Sequence, residues 1–252
     1  MARLVRVAVS MLQAGELALD ASASHYLVNV HRLPAGARFV VFDPERALEA
    51  DAELVMANER RAVCRLGPPR PARALGTGSV TLLQGVGKAD KMDQVVRDAT
   101  ALGVAEIVAV ECARSVVRLR DSGRSRERAQ RWRKIAVESA RQCGRGDVPR
   151  IGEPLGVEAA LREHAPIHAL GWLCDPTASL SLREALESFR PERKTLVFIG
   201  PEGGFDDGER VLAREAGLTP VRLGPFTLRT ETAALVVCAA LYLRGSAPAD
   251  LQ

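Results

Sequence analysis

Arg229, Glu231 and Glu202 are the side chains whose types and spacing invite chemistry on a nucleophile that must lose a proton. They sit in two glycine-bearing stretches, Gly200-Pro201-Glu202-Gly203-Gly204 and Leu223-Gly224-Pro225 followed by Leu228-Arg229-Thr230-Glu231. A fixed guanidinium stabilises negative charge as it develops on an oxygen. A carboxylate two residues further on can accept a proton, or can simply favour the positive end of a helix. Glu202 offers a negative group to a cationic ligand. Gly200, Gly203, Gly204 and Gly224 allow backbone N–H and C=O groups to approach a ligand closely.

The flanking segments must position these groups. An apolar run at 196–199 stops at the first glycine loop. Asp206 with Glu209 three positions on predicts a helix N-terminus with reciprocal capping, and Gly217 closes that helix. A second strand at 221–223 stops at Gly224-Pro225, and Thr230 is expected to cap a final helix at 231–243. Two successive strands thus end in Gly-Pro just before a helix. In open α/β sheets ligands bind there, outside the carboxyl ends of the strands. From Ala233 to Leu243 the last helix carries no charge. It is therefore expected to be buried all round, within its domain or against a second copy of the chain, with the second copy preferred.

Gly200-Pro201-Glu202-Gly203-Gly204-Phe205 and Leu223-Gly224-Pro225…Leu228-Arg229-Thr230-Glu231-Thr232-Ala233 together resemble the 16S ribosomal RNA uridine-N3 methyltransferase family. This is the small-subunit methyltransferase E group of the SPOUT class. The resemblance implies an α/β fold: a C-terminal SPOUT-type parallel-sheet domain with a trefoil knot, preceded by a small PUA-like β-barrel. It implies methyl transfer from S-adenosylmethionine (SAM) to N3 of a uridine, by a homodimer acting on 16S ribosomal RNA or the small ribosomal subunit. Carried over, Arg229 and Glu231 are catalytic. Leu173, Gly200, Pro201, Glu202, Gly203, Gly204, Leu223, Gly224, Leu228 and Thr230 hold the cofactor, with the end of the strand at 167–173, near Cys174-Asp175-Pro176, forming a third wall. Phe226 departs from the family, where a basic residue is usual; an aromatic there can stack on a base.

Before these motifs the chain changes character once. Strand candidates at 3–9, 16–19, 38–42, 50–56 and 61–66, with a short helix at 25–33, suggest a small barrel. The block from His25 through Asn29 and Arg32 resembles the family's RNA-associated N-terminal domain. Three prolines in Gly67-Pro68-Pro69-Arg70-Pro71 read as a spacer, dividing a domain at 1–70 from one at 75–252. A strand at 80–84, a helix capped by Asp90 and a strand at 106–110 then form a βαβ unit. Its turn, Gly85-Val86-Gly87-Lys88, lacks the third glycine of a dinucleotide fingerprint, whereas Gly87-Lys88…Lys91-Met92-Asp93 resembles a family block.

Charge is concentrated. Between Arg114 and Arg150 stand 12 Arg and Lys against four Asp and Glu, a local +8 in a chain whose total is +4. That is a footprint for a polyanion or a solvated helix face. Residues expected at RNA are Arg6, Asn29, Arg32, Lys88, Arg114, Gln142 and Arg145. Five cysteines at least 31 positions apart argue against disulfides and metal, His164 and His168 lack ligand spacing, and no apolar run reaches membrane length. A cytoplasmic, metal-free protein is expected. Besides uridine-N3 methylation, another RNA target (a ribose 2′-hydroxyl or another base) or non-catalytic ribosome binding stays open.

Overall fold

The computed structural model describes residues 4–74, 80–88, 90–116 and 122–245. The chain divides into two compact units, one of residues 1–75 with 137–148, the other of residues 76–136 with 149–252.

The first unit contains β1 (Arg6–Ala8), β2 (Gly15–Ala18), α1 (Ala21–His25) running into a π-helical turn (Tyr26–Val30), β3 (Arg38–Asp43), β4 (Leu48–Met56), β5 (Val63–Leu66) and β6 (Arg70–Pro71). Along β4, Ala50, Ala52 and Leu54 face the core while Asp51 and Glu53 face solvent, the two-residue alternation of a half-buried strand. The sheet runs β1-β3-β4-β5-β2, with β6 on β4. Among the described residues its end strands do not pair, so hydrogen bonding leaves the expected barrel open. The helix starts four residues earlier than predicted, because the Asp20 carboxylate accepts the Ala23 amide at 2.7 Å. The proline spacer is also corrected. Arg70 and Pro71 form an edge strand against Glu49 and Leu48, a place where a residue without an N–H is tolerated.

The second unit holds β7 (Val80–Gly85), α2 (Lys91–Ala101), β8 (Glu106–Glu111), the start of α3 (Ser122–Cys143), β9 (Arg150–Ile151), β10 (Leu155–Gly156), α4 (Val157–His164), β11 (Leu170–Cys174), α5 (Leu182–Ala185), β12 (Thr195–Ile199), α6 (Asp207–Glu215), β13 (Thr219–Val221) and α7 (Thr230–Gly245). All sheet pairings are parallel, in the order β10-β8-β7-β12-β11-β13 with β9 on β8. Strands buried on both faces read as apolar runs, and β12 is buried at every position. From β7 the chain moves outward one way through β8 and β10. It then crosses to β11 on the other side, returns to β12 beside β7 and goes out to β13 beyond β11, which makes the β7–β12 junction a switch point.

Local rules hold at α6. The Asp206–Glu209 capping box forms, and Gly217 takes φ +87° beyond the helix end. At α2, of the apolar face expected from spacing, Met92, Val95, Val96 and Ala99 are buried and Leu102 is half-buried, while the Asp90 side chain makes no capping bond. In α7 the chain by itself buries one side of the helix and leaves the other exposed, the side that the second-copy expectation would cover. Ala233, Ala234, Val237, Cys238 and Leu241 pack inward, on the side of α2 and β12, while Leu235 and Leu243 remain 41% and 65% exposed. Among the described residues no helix is long and apolar enough to cross a membrane.

Candidate active site

Three neighbouring strands end at one cavity. β11 delivers Cys174, Asp175, Pro176 and Thr177; β12 delivers residues 200–205; β13 is followed by the stretch from Arg222 to Thr230. The cavity they enclose measures about 580 Å3, within the range of roughly 300–1,000 Å3 for small-molecule sites. A larger cleft of about 820 Å3 lies along α5 and Arg222–Pro225. It contains none of the 200–204 loop, and the chemically able groups gather in the smaller cavity.

The loop after β12 is fixed at nearly every residue. Glu202 Oε1 accepts the Lys88 amide at 2.9 Å and pairs with Lys91 Nζ at 3.2 Å. Arg114 Nη1 donates to the Gly203 carbonyl at 3.1 Å, and the Gly204 amide donates to Pro201 O at 2.9 Å. Gly204 takes φ +67°, a left-handed conformation that glycine adopts without penalty. Partial burial alone would push the Glu202 carboxyl up, but the Lys88 amide and the Lys91 ammonium outweigh it and hold the carboxyl below its ordinary value.

Gly203 is small for a reason other than ligand access. A Cβ there would fall 2.8 Å from Cβ of Arg114, so the glycine admits Arg114. At Gly224, on the cavity wall, a Cβ would meet nothing within 4 Å.

The stretch after β13 is built differently. β13 ends two residues before the predicted 223, and Arg222 bridges to Ser181 instead of extending the strand. Phe226 is 80% exposed. Arg229 lines the cavity, and its side chain has no partner among the described residues. Thr230 is the first residue of α7 rather than its cap. Its hydroxyl is already engaged, donating to Gly200 O at 2.6 Å and accepting from Gln84 Nε2 at 2.7 Å. Glu231 Oε2 lies 3.2 Å from Lys91 Nζ. Asp175, buried, accepts from Thr177 and pairs with Arg210 at 2.8 Å. Burial raises its pKa, but these contacts win and hold it low.

Two residues missed in the sequence stand out. Lys91 bridges Glu202 and Glu231, joining the two loops. It occupies the first turn of α2, where the helix dipole disfavours a cation, and that misplacement was the available signal. Gln84 is fully buried at the end of an apolar strand.

The predicted cofactor residues Gly200, Pro201, Glu202, Gly203, Gly204, Leu223, Gly224, Leu228 and Thr230 all line the one cavity with Arg229, while Glu231 meets it through Lys91. Leu173 does not line it; its side chain is fully buried in the core, and the wall begins one residue later.

The residues expected at RNA divide. Asn29, Arg32, Lys88, Arg114 and Gln142 are exposed. Arg6 and Arg145 correct the expectation. Arg6 is mostly buried, paired with Glu49 at 2.8 Å and stacked over Phe42. Arg145 is 5% exposed and clamped by both oxygens of Asp147 at 2.7 Å. Neither guanidinium is presented to a phosphate. In the basic segment Arg131 pairs with Asp93 and Arg133 Nε donates to Ile151 O. Arg128 is half-buried and Lys134 exposed, both without side-chain partners among the described residues. Arg118 and Arg120 lie outside those residues.

None of the five cysteines forms a disulfide, and burial pushes Cys64 up to about 11 and Cys238 to about 12. His168 bonds Thr81 at 2.9 Å, a structural contact. No group of three or more His, Cys, Asp or Glu is placed to hold a metal among the described residues.

The parallel sheet and its loop-built cavity define a class. Residues 76–242 match the RNA methyltransferase domain family, and the chain belongs to it. Within that family it is similar to ribosomal RNA small subunit methyltransferase E of Bacillus subtilis, 28% identical over 91% of this chain and 90% of the relative. The structure superposes on ribosomal RNA small subunit methyltransferase E from Neisseria gonorrhoeae bound to S-adenosyl methionine. The TM-score is 0.85 and the identity 26%, over 96% of this chain and 98% of that one. A Legionella pneumophila protein solved with bound SAM gives a TM-score of 0.87 and 27% identity, over the same shares.

Proposed function

We propose that this chain is a SAM-dependent methyltransferase that methylates N3 of a uridine in 16S ribosomal RNA. One observation carries it above the others: a preset loop with a carboxylate and an unpartnered arginine share one cavity at the carboxyl ends of adjacent parallel strands. The cavity suits the cofactor in size, and the Glu202 and Asp175 carboxylates, both held ionised, suit its positive charge. Backbone groups of residues 200–204 and of Leu223, Gly224 and Leu228 would hold it. When bound, the cofactor supplies an electrophilic methyl group on a sulfonium.

The chain's own residues then do the rest. Arg229 faces the charge that develops on the uracil oxygens as N3 loses its proton. Glu231 accepts that proton through Oε1, which has no partner among the described residues, while Oε2 stays with Lys91. Holding the uracil nitrogen in line with the methyl supplies much of the barrier reduction. No metal is required.

The finer expectations accompany this proposal. Asn29, Arg32, Lys88, Arg114 and Gln142 contact RNA, the first two from a PUA-like domain. The C-terminal segment is knotted; the Thr230–Gly200 hydrogen bond, which anchors the start of α7 at the end of β12, accords with this. The exposed side of α7, with Leu235 and Leu243, packs on a second copy to form a homodimer. The enzyme works in the cytoplasm, which suits cysteines that form no disulfide. Mass analysis of 16S ribosomal RNA nucleosides from a strain lacking this protein tests the target. Loss of 3-methyluridine, restored by the gene, is expected; retained 3-methyluridine, or loss of a 2′-O-methyl nucleoside instead, overturns it.

A further inference from the structure

We infer that Gln84 is the positioning residue that sets the cofactor loop and the catalytic helix end in register, acting through the Thr230 hydroxyl. The inference rests on the cofactor proposal above. Gln84 is 1% exposed at the end of β7, the strand beside β12. Its Nε2 lies 2.7 Å from Thr230 Oγ1 and 3.2 Å from Gly85 O, and Thr230 Oγ1 lies 2.6 Å from Gly200 O.

The proton count fixes every direction in this chain. A carbonyl only accepts, so the single hydroxyl proton of Thr230 goes to Gly200 O. Thr230 can then only accept from Gln84, which places the amide nitrogen, not the oxygen, toward it. The Gln84 oxygen is left buried without a partner. Burying an unsatisfied amide oxygen costs stability that a leucine at this site would not. Something other than stability therefore accounts for the glutamine.

Its position supplies that account. Thr230 stands between Arg229 and Glu231, and Gly200 opens the loop that carries Glu202. One hydrogen-bond chain therefore spans the end of β7, the cofactor loop and the residues flanking the methyl transfer. The backbone contact is equally close, since a Cβ on Gly85 would fall 2.4 Å from Pro201 N. Movement at any of the three pieces is felt by the other two.

The test compares wild type with Gln84→Leu and Gln84→Glu by calorimetry with SAM and by methylation kinetics across pH 5.5–8.5. Wild-type SAM affinity should barely change over that range. Gln84→Leu frees the Thr230 hydroxyl to rotate, and should weaken SAM binding roughly tenfold and lower kcat as well. Gln84→Glu is the sharper probe. As a carboxylate it competes with Gly200 O for the Thr230 proton; once protonated it can donate to Thr230 as the amide does. Burial raises the pKa of such a glutamate, so SAM affinity of this variant should climb toward wild type as pH falls. A filler role gives no such slope. Thr230→Val breaks the same link, should match Gln84→Leu, and carries the test if that variant does not fold. A folded Gln84→Leu or Thr230→Val with wild-type SAM affinity overturns the inference, as does a Gln84→Glu with no slope of its own. Those results leave the cofactor proposal standing, whereas wild type without SAM binding would overturn both.

Discussion

The two loops that meet at the cavity are opposites in construction. In the loop after β12, Glu202, Gly203 and Gly204 each have a hydrogen-bond partner, and Gly200 O is held by Thr230. In the stretch after β13, Arg222 is tied to Leu180, Leu182 and Ala178, but no side chain from Phe226 to Arg229 makes a hydrogen bond or ion pair among the described residues. The first loop is preorganised, so little ordering entropy is left for a ligand to offset. The second presents an aromatic and a cation that await something outside the unit. That division suits an enzyme with a small cofactor and a large RNA: one side of the cavity is finished by the fold, the other by the substrate.

Breaking the open side should affect chemistry most. Arg229→Ala should lower kcat by about 10²–10³-fold, the range for losing one charge-stabilising donor, with SAM affinity unchanged by calorimetry. A parallel loss of SAM affinity would place Arg229 on the cofactor side instead. Phe226→Ala comes next. If the ring stacks on a base, RNA affinity should fall by about 1–3 kcal/mol in a filter-binding titration, while the melting temperature holds because the ring is 80% exposed.

The smallest effect comes from the bridge between the loops. Lys91 Nζ and the Glu202 carboxylate are only partly shielded, so Lys91→Met should cost about 1 kcal/mol of stability, and SAM binding should weaken with it. The pH dependence has a definite sign. Glu202 is held below its ordinary value, so its contribution is complete above about pH 5 and lost as pH falls through the lower folded pKa. Burial lowers the Lys91 pKa, but its two carboxylates outweigh that and raise it, so its contribution persists until pH rises past about 10.4. The stability gap between wild type and Lys91→Met, read from thermal melts, should be widest between about pH 5 and 9 and should narrow toward pH 3.

What was legible in the sequence is what short-range rules govern. The Asp206–Glu209 box and Gly217 follow from the needs of one helix, and the cofactor loop was recognisable from its own string of residues. The errors are long-range. Thr230 has the residue type of a cap, but Gly200 and Gln84, 30 and 146 positions away, claim its hydroxyl. Arg145 is the local exception: it looked available until Asp147, two positions on, closed on it. Arg6 carries a surface residue's charge into a buried pair with Glu49, 43 positions off. The small size of Gly203 was assigned to a ligand, yet its neighbour is Arg114 from another strand end. Hydrophobic periodicity reports which face is buried, and it is silent on which polar groups will meet.

Hydrogen exchange measured residue by residue, on the protein alone and with SAM, tests the contrast between the two loops most directly. In the free protein the amides of Lys88 and Gly204, bonded to Glu202 and Pro201, should already be protected. Those of Phe226, Thr227 and Leu228, which donate to no described residue, should exchange freely and slow only on binding. Free exchange at Lys88 and Gly204 before SAM is added would contradict a preset cofactor loop, and protection of 226–228 in the free protein would contradict an open substrate side.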